Sequence, residues 1–348
     1  MVGLRHAHFI LLSVATVLFD ANPSLYLFDK YQQASTFIKN NVLNKSGERP
    51  STFDRHGGFY SGKNVWITGA SSGIGRELAV QLCAAGANLV VSARRAEDLE
   101  ETRRMCGERE GRVSVLQLDV LGGTEALEKA ADAAIAELGS VDVLILNAGR
   151  FQIMPAVDTP ISVTRDMMAL NFDSTVELAL ITMAKDSWIT KKKGHIAVTS
   201  SVAAKLPVPL STSYSASKAA LHGYFNGLRS EHDFLRVDLV CPGPVGTPIA
   251  LNAHTGNAEG RRVEVDYKMG VERFTTLMLA GMSGPSLVFY ETWISRQPAL
   301  GFTAIAQYVP GALTALMKLL GPGMIKAFEA GKSVYAVGSM IEQIWKGE

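Results

Sequence analysis

The feature that most limits what this chain can fold into is a glycine-spaced turn, Thr68-Gly69-Ala70-Ser71-Ser72-Gly73-Ile74-Gly75. Before it, Asn64–Thr68 reads as an apolar strand, and after it Arg76–Ala85 has helical spacing. At such a junction Gly69 permits a tight bend, Gly73 lets backbone approach a ligand, and Gly75 lets the helix pack closely on the strand. The helix start then offers unpaired amides, over the stretch holding Ser71, Ser72 and Ile74, and the positive end of the helix dipole. Both suit a phosphate group.

The same alternation continues downstream. Apolar strand patterns occupy 88–92, 113–118, 141–146, 195–199 and 237–241, and 286–293 reads as a seventh. Helical patterns lie between them at 96–108 and 124–138, in one long helix reaching about Asp186, and from Tyr214 to about Phe234. Strands apolar on both faces, separated by helices, predict an α/β, doubly wound (Rossmann) parallel seven-stranded sheet with helices on both faces. An apolar C-terminal helical extension follows it. The crossovers are expected to be right-handed.

Composition excludes some function classes. With 47% hydrophobic and 19% charged residues the chain is globular, and a formal net charge of +1 gives no electrostatic footprint for nucleic acid. Cys83, Cys106 and Cys241 lack metal-ligand spacing and read as buried free thiols, so no metal site is expected. Residues 1–30 form a separate segment, membrane-associated or signal-anchor in character. Its apolar run, Phe9–Phe19, is shorter than the roughly 20 residues a spanning helix needs. A signal-peptide core and a packed helix are its other readings. Residues 31–60 read as a polar linker containing a glycosylation acceptor pattern at Asn44. Residues 61–348 form the remaining domain, with 249–348 as its loop and C-terminal extension.

The end of the second strand bears on cofactor choice. A site for NAD places Asp or Glu there to bond the ribose 2′-hydroxyl. This chain has Ser92-Ala93-Arg94-Arg95, and two guanidinium groups can clamp a 2′-phosphate through charge-assisted bonds. NADP(H) is therefore expected over NAD, with solvated surface arginines as the alternative. Asp119, at the end of the third strand, is placed to bond an adenine ring or to cap the next turn.

Tyr214 and Lys218 lie four apart at a helix start, so they share a face. An ammonium beside a phenol favours the phenolate and is expected to draw the Tyr214 pKa down. Ser201 ends the fifth strand, at the sheet edge where ligands bind, and its hydroxyl can polarise a carbonyl. This is a constellation for interconverting a carbonyl and an alcohol, with Tyr214 as proton donor and acceptor.

With Asn147-Ala148-Gly149 and Pro242-Gly243 added, the motifs over roughly residues 60–250 resemble the short-chain dehydrogenase/reductase family. The resemblance implies that Asn171 completes a Ser–Tyr–Lys–Asn tetrad and holds a water in a proton relay through Lys218. It also implies that Asn147, Ala148 and Gly149 lie against the cofactor, and that Val245 and Thr247 meet the nicotinamide amide. Asn226-Gly227-Leu228-Arg229, Cys241 to Val245 and Trp293 to Pro298 look like the microsomal member 7 subfamily, itself similar to the 11β-hydroxysteroid dehydrogenases. That implies a lipophilic steroid, retinoid or xenobiotic carbonyl as substrate and an endoplasmic reticulum membrane location, with the cytoplasm or a lipid-droplet surface as alternatives. It also implies a homodimer paired through the helices holding Asn171 and Tyr214.

Leu206 and Val208, in the apolar stretch between Ser201 and Tyr214, are expected to line the substrate pocket. Pro298–Leu320 reads either as a core helix pair or as a lid that admits lipophilic molecules. Other functions remain open at this stage: a membrane-bound reductase of 3-keto sphingoid bases or long-chain lipid ketones, and a dinucleotide-binding protein without catalysis.

Overall fold

The computed structural model describes residues 58–107, 112–206, 208–250, 253–254, 267–284 and 291–331. The apolar run at 9–19, Asn44 and Pro207 lie outside them. Seven strands form one sheet in the order β3-β2-β1-β4-β5-β6-β7, with every pairing parallel. They are β1 (Asn64–Thr68), β2 (Asn88–Ala93), β3 (Val113–Gln117), β4 (Val143–Leu146), β5 (Gly194–Thr199), β6 (Leu235–Pro242) and β7 (Glu291–Ile294). The helices are α1 (Gly73–Ala84), α2 (Ala96–Cys106), α3 (Thr124–Leu138), α4 (Ile161–Met168), α5 (Ser174–Lys185), the single turn α6 (Trp188–Lys191), α7 (Thr212–Glu231), α8 (Val271–Ser283), α9 (Ala299–Tyr308) and α10 (Pro310–Glu329).

Side-chain alternation along each strand feeds two cores, one on each face of the sheet. Val65, Ile67, Leu89, Val91, Val143 and Ile145 pack with Leu78 and Leu82 of α1 and with Phe274 and Leu277 of α8. Trp66, Val90, Leu144, Ile196 and Val198 point the other way, onto Leu127 of α3, Leu178 of α5 and Phe225 of α7. Each such side chain contributes about 1.5–3 kcal/mol when fully buried, which is why both faces must be covered. The three cysteines are buried, and none is in a disulfide among the described residues.

Several sequence boundaries shift. Gly58–Tyr60, read as the end of the linker, belongs to the domain: Tyr60 is buried, and its hydroxyl donates to the Leu279 carbonyl at 2.7 Å. The long helix before β5 is interrupted by a π-helical turn at Ala169–Asp173, between α4 and α5. Of the expected seventh strand, Glu291–Ile294 is described, and 285–290 lie outside the described residues. Pro298–Leu320 divides at Val309, where Pro310 starts a new helix. Among the described residues no helix is long and apolar enough to cross a membrane.

Strand order reverses between β1 and β4, and this positions the site. Parallel strands present all their carboxyl ends along one edge, and the neighbours of β1 lead away in opposite directions, which opens a crevice there. The glycine turn leaves β1 and Asn147 follows β4, so both stand at that crevice.

Candidate active site

One cavity of about 710 Å³ runs along the carboxyl edge of the sheet. Its walls include Gly69, Ser71, Ser72, Gly73, Ile74, Arg94, Arg95, Asp119, Asn147, Ala148, Gly149, Ser201, Leu206, Val208, Tyr214, Lys218, Pro242, Gly243, Val245 and Thr247. Nearly all the residues singled out from the sequence are thus brought to a single space. Gly75 and Asn171 stand just behind it.

Backbone geometry explains the glycines. Gly69 has φ +68°, and a β-carbon there would lie 2.8 Å from the Ala148 Cα. One at Gly75 would lie 2.3 Å from the Gly69 carbonyl and 2.6 Å from Asn147 Nδ2. Both distances are impossible for a real side chain, so the turn depends on glycine. Asn147 closes the same junction: its Nδ2 donates to the carbonyls of Thr68 and Gly69, each at 3.2 Å, and its Oδ1 accepts from Thr199 at 3.2 Å. It thereby ties the ends of β1, β4 and β5. Ser72 precedes α1 without making a side-chain cap, so the first amides of α1 are left for a ligand at the cavity wall. Asp119 stands two residues past the end of β3 and accepts from the Leu121 amide at 3.1 Å, the turn-capping alternative, while still lining the cavity.

The two arginines differ. Arg95 is paired with Asp98 and donates to Ser71 Oγ at 3.3 Å, so it braces the turn. Among the described residues the Arg94 guanidinium has no partner, and it is exposed at the mouth of the cavity.

At the other end, Tyr214 and Lys218 occupy successive turns of α7, both buried. Lys218 Nζ donates to the Thr199 carbonyl at 2.8 Å and lies 5.9 Å from the Tyr214 ring centre. Burial pushes the Lys218 ammonium down to about 8. Burial likewise pushes the Tyr214 phenol up, to about 12, against the opposing pull of a hydrogen bond with Ser201. The expected lowering of Tyr214 by Lys218 is therefore corrected: in the protein alone, desolvation of the phenolate outweighs every favourable contact.

Phe151, not foreseen from the sequence, packs edge-on against Tyr214 with ring centres 4.9 Å apart. Ser201 starts a 3-10 turn, Val202–Ala204; its Oγ accepts from the Ala203 amide at 3.1 Å and donates to the Pro242 carbonyl at 3.4 Å.

Asn171 sits in the π-helical turn and is wholly buried. Its Oδ1 accepts from the Arg150 amide at 2.9 Å, and its Nδ2 donates to the Arg150 carbonyl and to Ser217 Oγ, each at 3.0 Å. The loop after β4 is thus clamped against the helix turn between Tyr214 and Lys218. A β-carbon at Gly149 would meet Asn171 Oδ1 at 3.0 Å and Lys218 Nζ at 3.5 Å, so both side chains converge on that glycine.

The cavity continues past Tyr214 to Phe151, Ala299 and Phe302 on α9, and Met317 and Met324 on α10. Residues far apart in the sequence build this apolar wall together with Leu206 and Val208. The donor set fits a dinucleotide: backbone amides at a helix start for phosphates, a carboxylate at one end and hydroxyls with an ammonium at the other.

Comparison with known proteins agrees with this geometry. Residues 63–258 match the short chain dehydrogenase family model. The chain is 39% identical over 277 residues to dehydrogenase/reductase SDR family member 7 of Homo sapiens, covering 77% of this chain and 80% of that protein. It is also 39% identical over 167 residues to a hydroxysteroid 11-beta-dehydrogenase 1-like protein of Xenopus tropicalis, covering 48% of this chain and 57% of that one. Among solved structures, a 7 alpha-hydroxysteroid dehydrogenase complexed with NADH and 7-oxo glycochenodeoxycholic acid superposes with a TM-score of 0.61 at 25% identity, covering 71% of this chain and 100% of the other. The alcohol dehydrogenase of Thermococcus sibiricus, complexed with 5-hydroxy-NADP, shares the fold with a TM-score of 0.59 at 24% identity, covering 68% and 97%.

Proposed function

Because this chain belongs to the short-chain dehydrogenase/reductase family and is an oxidoreductase of that kind, we propose that it transfers hydride between NADP(H) and a lipophilic ketone or aldehyde. The observation that carries the reading is the single cavity in which Tyr214, Lys218 and Ser201 meet an apolar wall from α9 and α10. Glycine-turn amides would hold the pyrophosphate, Asp119 the adenine end, and Val245 with Thr247 the nicotinamide amide. Arg94, exposed and without a side-chain partner among the described residues, is the group for the 2′-phosphate, with Arg95 supporting the turn behind it.

NADP(H), when bound, would supply or accept the hydride at the end of the cavity lined by Ser201, Tyr214 and Lys218. Ser201 and Tyr214 hydroxyls hold the substrate oxygen, and Tyr214 gives it a proton as the carbonyl becomes an alcohol. Tyr214, raised to about 12 in the protein alone, is held as the acid, which suits reduction. Lys218 keeps a positive charge near the site of proton loss, and Asn171 fixes the helix turn between the two. The apolar wall excludes water and favours a bulky carbonyl substrate of the steroid or retinoid kind.

The test is NADPH consumption by the full chain with steroid, retinoid and long-chain keto-lipid substrates side by side. Tyr214→Phe should lower turnover by about 10²–10⁴-fold with the melting temperature retained. Near-normal turnover in that variant overturns the mechanism, and turnover of keto-lipids alone moves the substrate class to long-chain ketones.

A further inference from the structure

A buried polar chain that none of these roles uses runs back from the cavity wall. It begins at Ser200, next to Ser201. Ser200 Oγ lies 2.9 Å from His222 Nε2 and 3.3 Å from the carbonyl of Lys218, which accepts its proton. The other ring nitrogen, Nδ1, lies 3.3 Å from Glu291 Oε2, an ion-pair distance off the axis of a good hydrogen bond. Glu291 Oε1 accepts from Trp293 Nε1 at 2.7 Å and faces Lys205 Nζ at 3.5 Å. Cys241 Sγ lies 3.6 Å from His222 Nε2 and completes the surroundings of the ring.

Five elements meet here: the end of β5, strand β6, helix α7, strand β7, and the loop that leaves Ser201 and carries Leu206 and Val208. Ser200, His222 and Cys241 are buried, and Glu291 is mostly so. Burial alone would raise the Glu291 carboxyl. Contact with His222, Trp293 and Lys205 instead brings it down to about 2, so it stays charged at any working pH. A buried charge of this kind is costly unless its partners are fixed, and fixed partners restrict neighbouring rotamers. The neighbours here are the backbone at Lys218 and the residue beside Ser201.

We propose that Glu291 and His222 are positioning residues for the reaction: Glu291 orients His222, and His222 acts through Ser200 to set Ser201 and the Lys218 turn. Lys205 draws the substrate loop to the same carboxylate. This rests on the function proposed above. It differs from a plain fold-holding contact because its effect falls on turnover and passes through one hydroxyl.

The experiment compares His222→Leu, His222→Gln, Ser200→Ala and Glu291→Gln in the full chain, with turnover expressed per NADPH-binding site from fluorescence titration. Misplacement of reacting groups is costly, so His222→Leu should lose about tenfold or more in kcat. Its KM for NADPH should stay within about twofold, because ground-state dinucleotide contacts are untouched. His222→Gln, whose amide can face Ser200 in place of Nε2, should recover most of the loss, and Glu291→Gln should lie between the two. Adding His222→Leu to Ser200→Ala should cause no further loss, because both act through the same hydroxyl.

A lower melting temperature with unchanged kcat overturns the proposal, as does His222→Gln losing as much as His222→Leu. If His222→Leu does not fold, Ser200→Ala decides, and unchanged kcat there overturns it. An active wild type with unaffected variants removes this inference alone. A wild type inactive on every carbonyl removes the proposed function as well.

Discussion

At the scale of single residues, Lys218 shows how burial sets chemistry. Among the described residues its ammonium has one hydrogen bond, to the Thr199 carbonyl, and no carboxylate, so desolvation dominates and the pKa falls from 10.5 to about 8. Between those values the unfolded chain keeps a proton that the folded chain has released, and stability therefore rises with pH across that window. The full rise is on the order of 3 kcal/mol from this group. We predict that Lys218→Met flattens it, measured as the wild-type minus variant difference in urea midpoints at pH 7.5 and pH 10. An unchanged difference would show that Lys218 is not desolvated. The arginines give a second residue-scale prediction. Charge-assisted hydrogen bonds contribute about 1.5–3 kcal/mol, so Arg94→Ala should raise the KM for NADPH by about tenfold or more and leave that for NADH nearly unchanged. Arg95→Ala should do less, since Asp98 already engages Arg95. Equal losses for both dinucleotides would remove Arg94 from the 2′-phosphate.

At the scale of elements, the junction of β1 with α1 is the tightest point in the site. Gly75→Ala would force a methyl against the Gly69 carbonyl and Asn147, at distances of 2.3 and 2.6 Å. Overpacking of this kind costs about 1–3 kcal/mol. The variant should therefore melt lower and bind NADPH at least about tenfold more weakly by fluorescence titration. Intact affinity would contradict the role given to this turn. The junction was legible in the sequence because glycine spacing, strand and helix coincide within 12 residues, from Asn64 to Gly75. The strands were legible for the same kind of reason: apolar runs covered on both faces have no other soluble explanation. The π-helical turn around Asn171 was not, because one extra residue in a helix barely alters its apolar periodicity. Nor was the Tyr214 pKa, which depends on burial by Phe151 and other distant residues. His222 and Glu291 lie 69 positions apart (291 − 222), and the packing of α7 on β6 with the pairing of β6 with β7 brings them together.

At the scale of the whole molecule, the cavity has two authors within one chain. The dinucleotide end is made by residues up to Thr247, and much of the apolar end by α9 and α10. Substrate choice can therefore change without disturbing hydride chemistry. We predict that Phe302→Ala alters the KM for the carbonyl substrate by about fivefold or more while the KM for NADPH stays within about twofold. Parallel shifts in both would mean that α9 supports the dinucleotide too. The position of β7 has a consequence for how the protein is made. Chains emerge from the ribosome N-terminus first at roughly 5–20 residues per second. Glu291 follows Tyr214 by 77 positions (291 − 214), so it appears roughly 4–15 seconds later. During that interval the nascent chain already carries the glycine turn and the Tyr214–Lys218 pair. It still lacks Glu291, the carboxylate we propose sets Ser201 and the Lys218 turn, so a fragment ending before residue 291 should leave the segment after Ser201 unanchored.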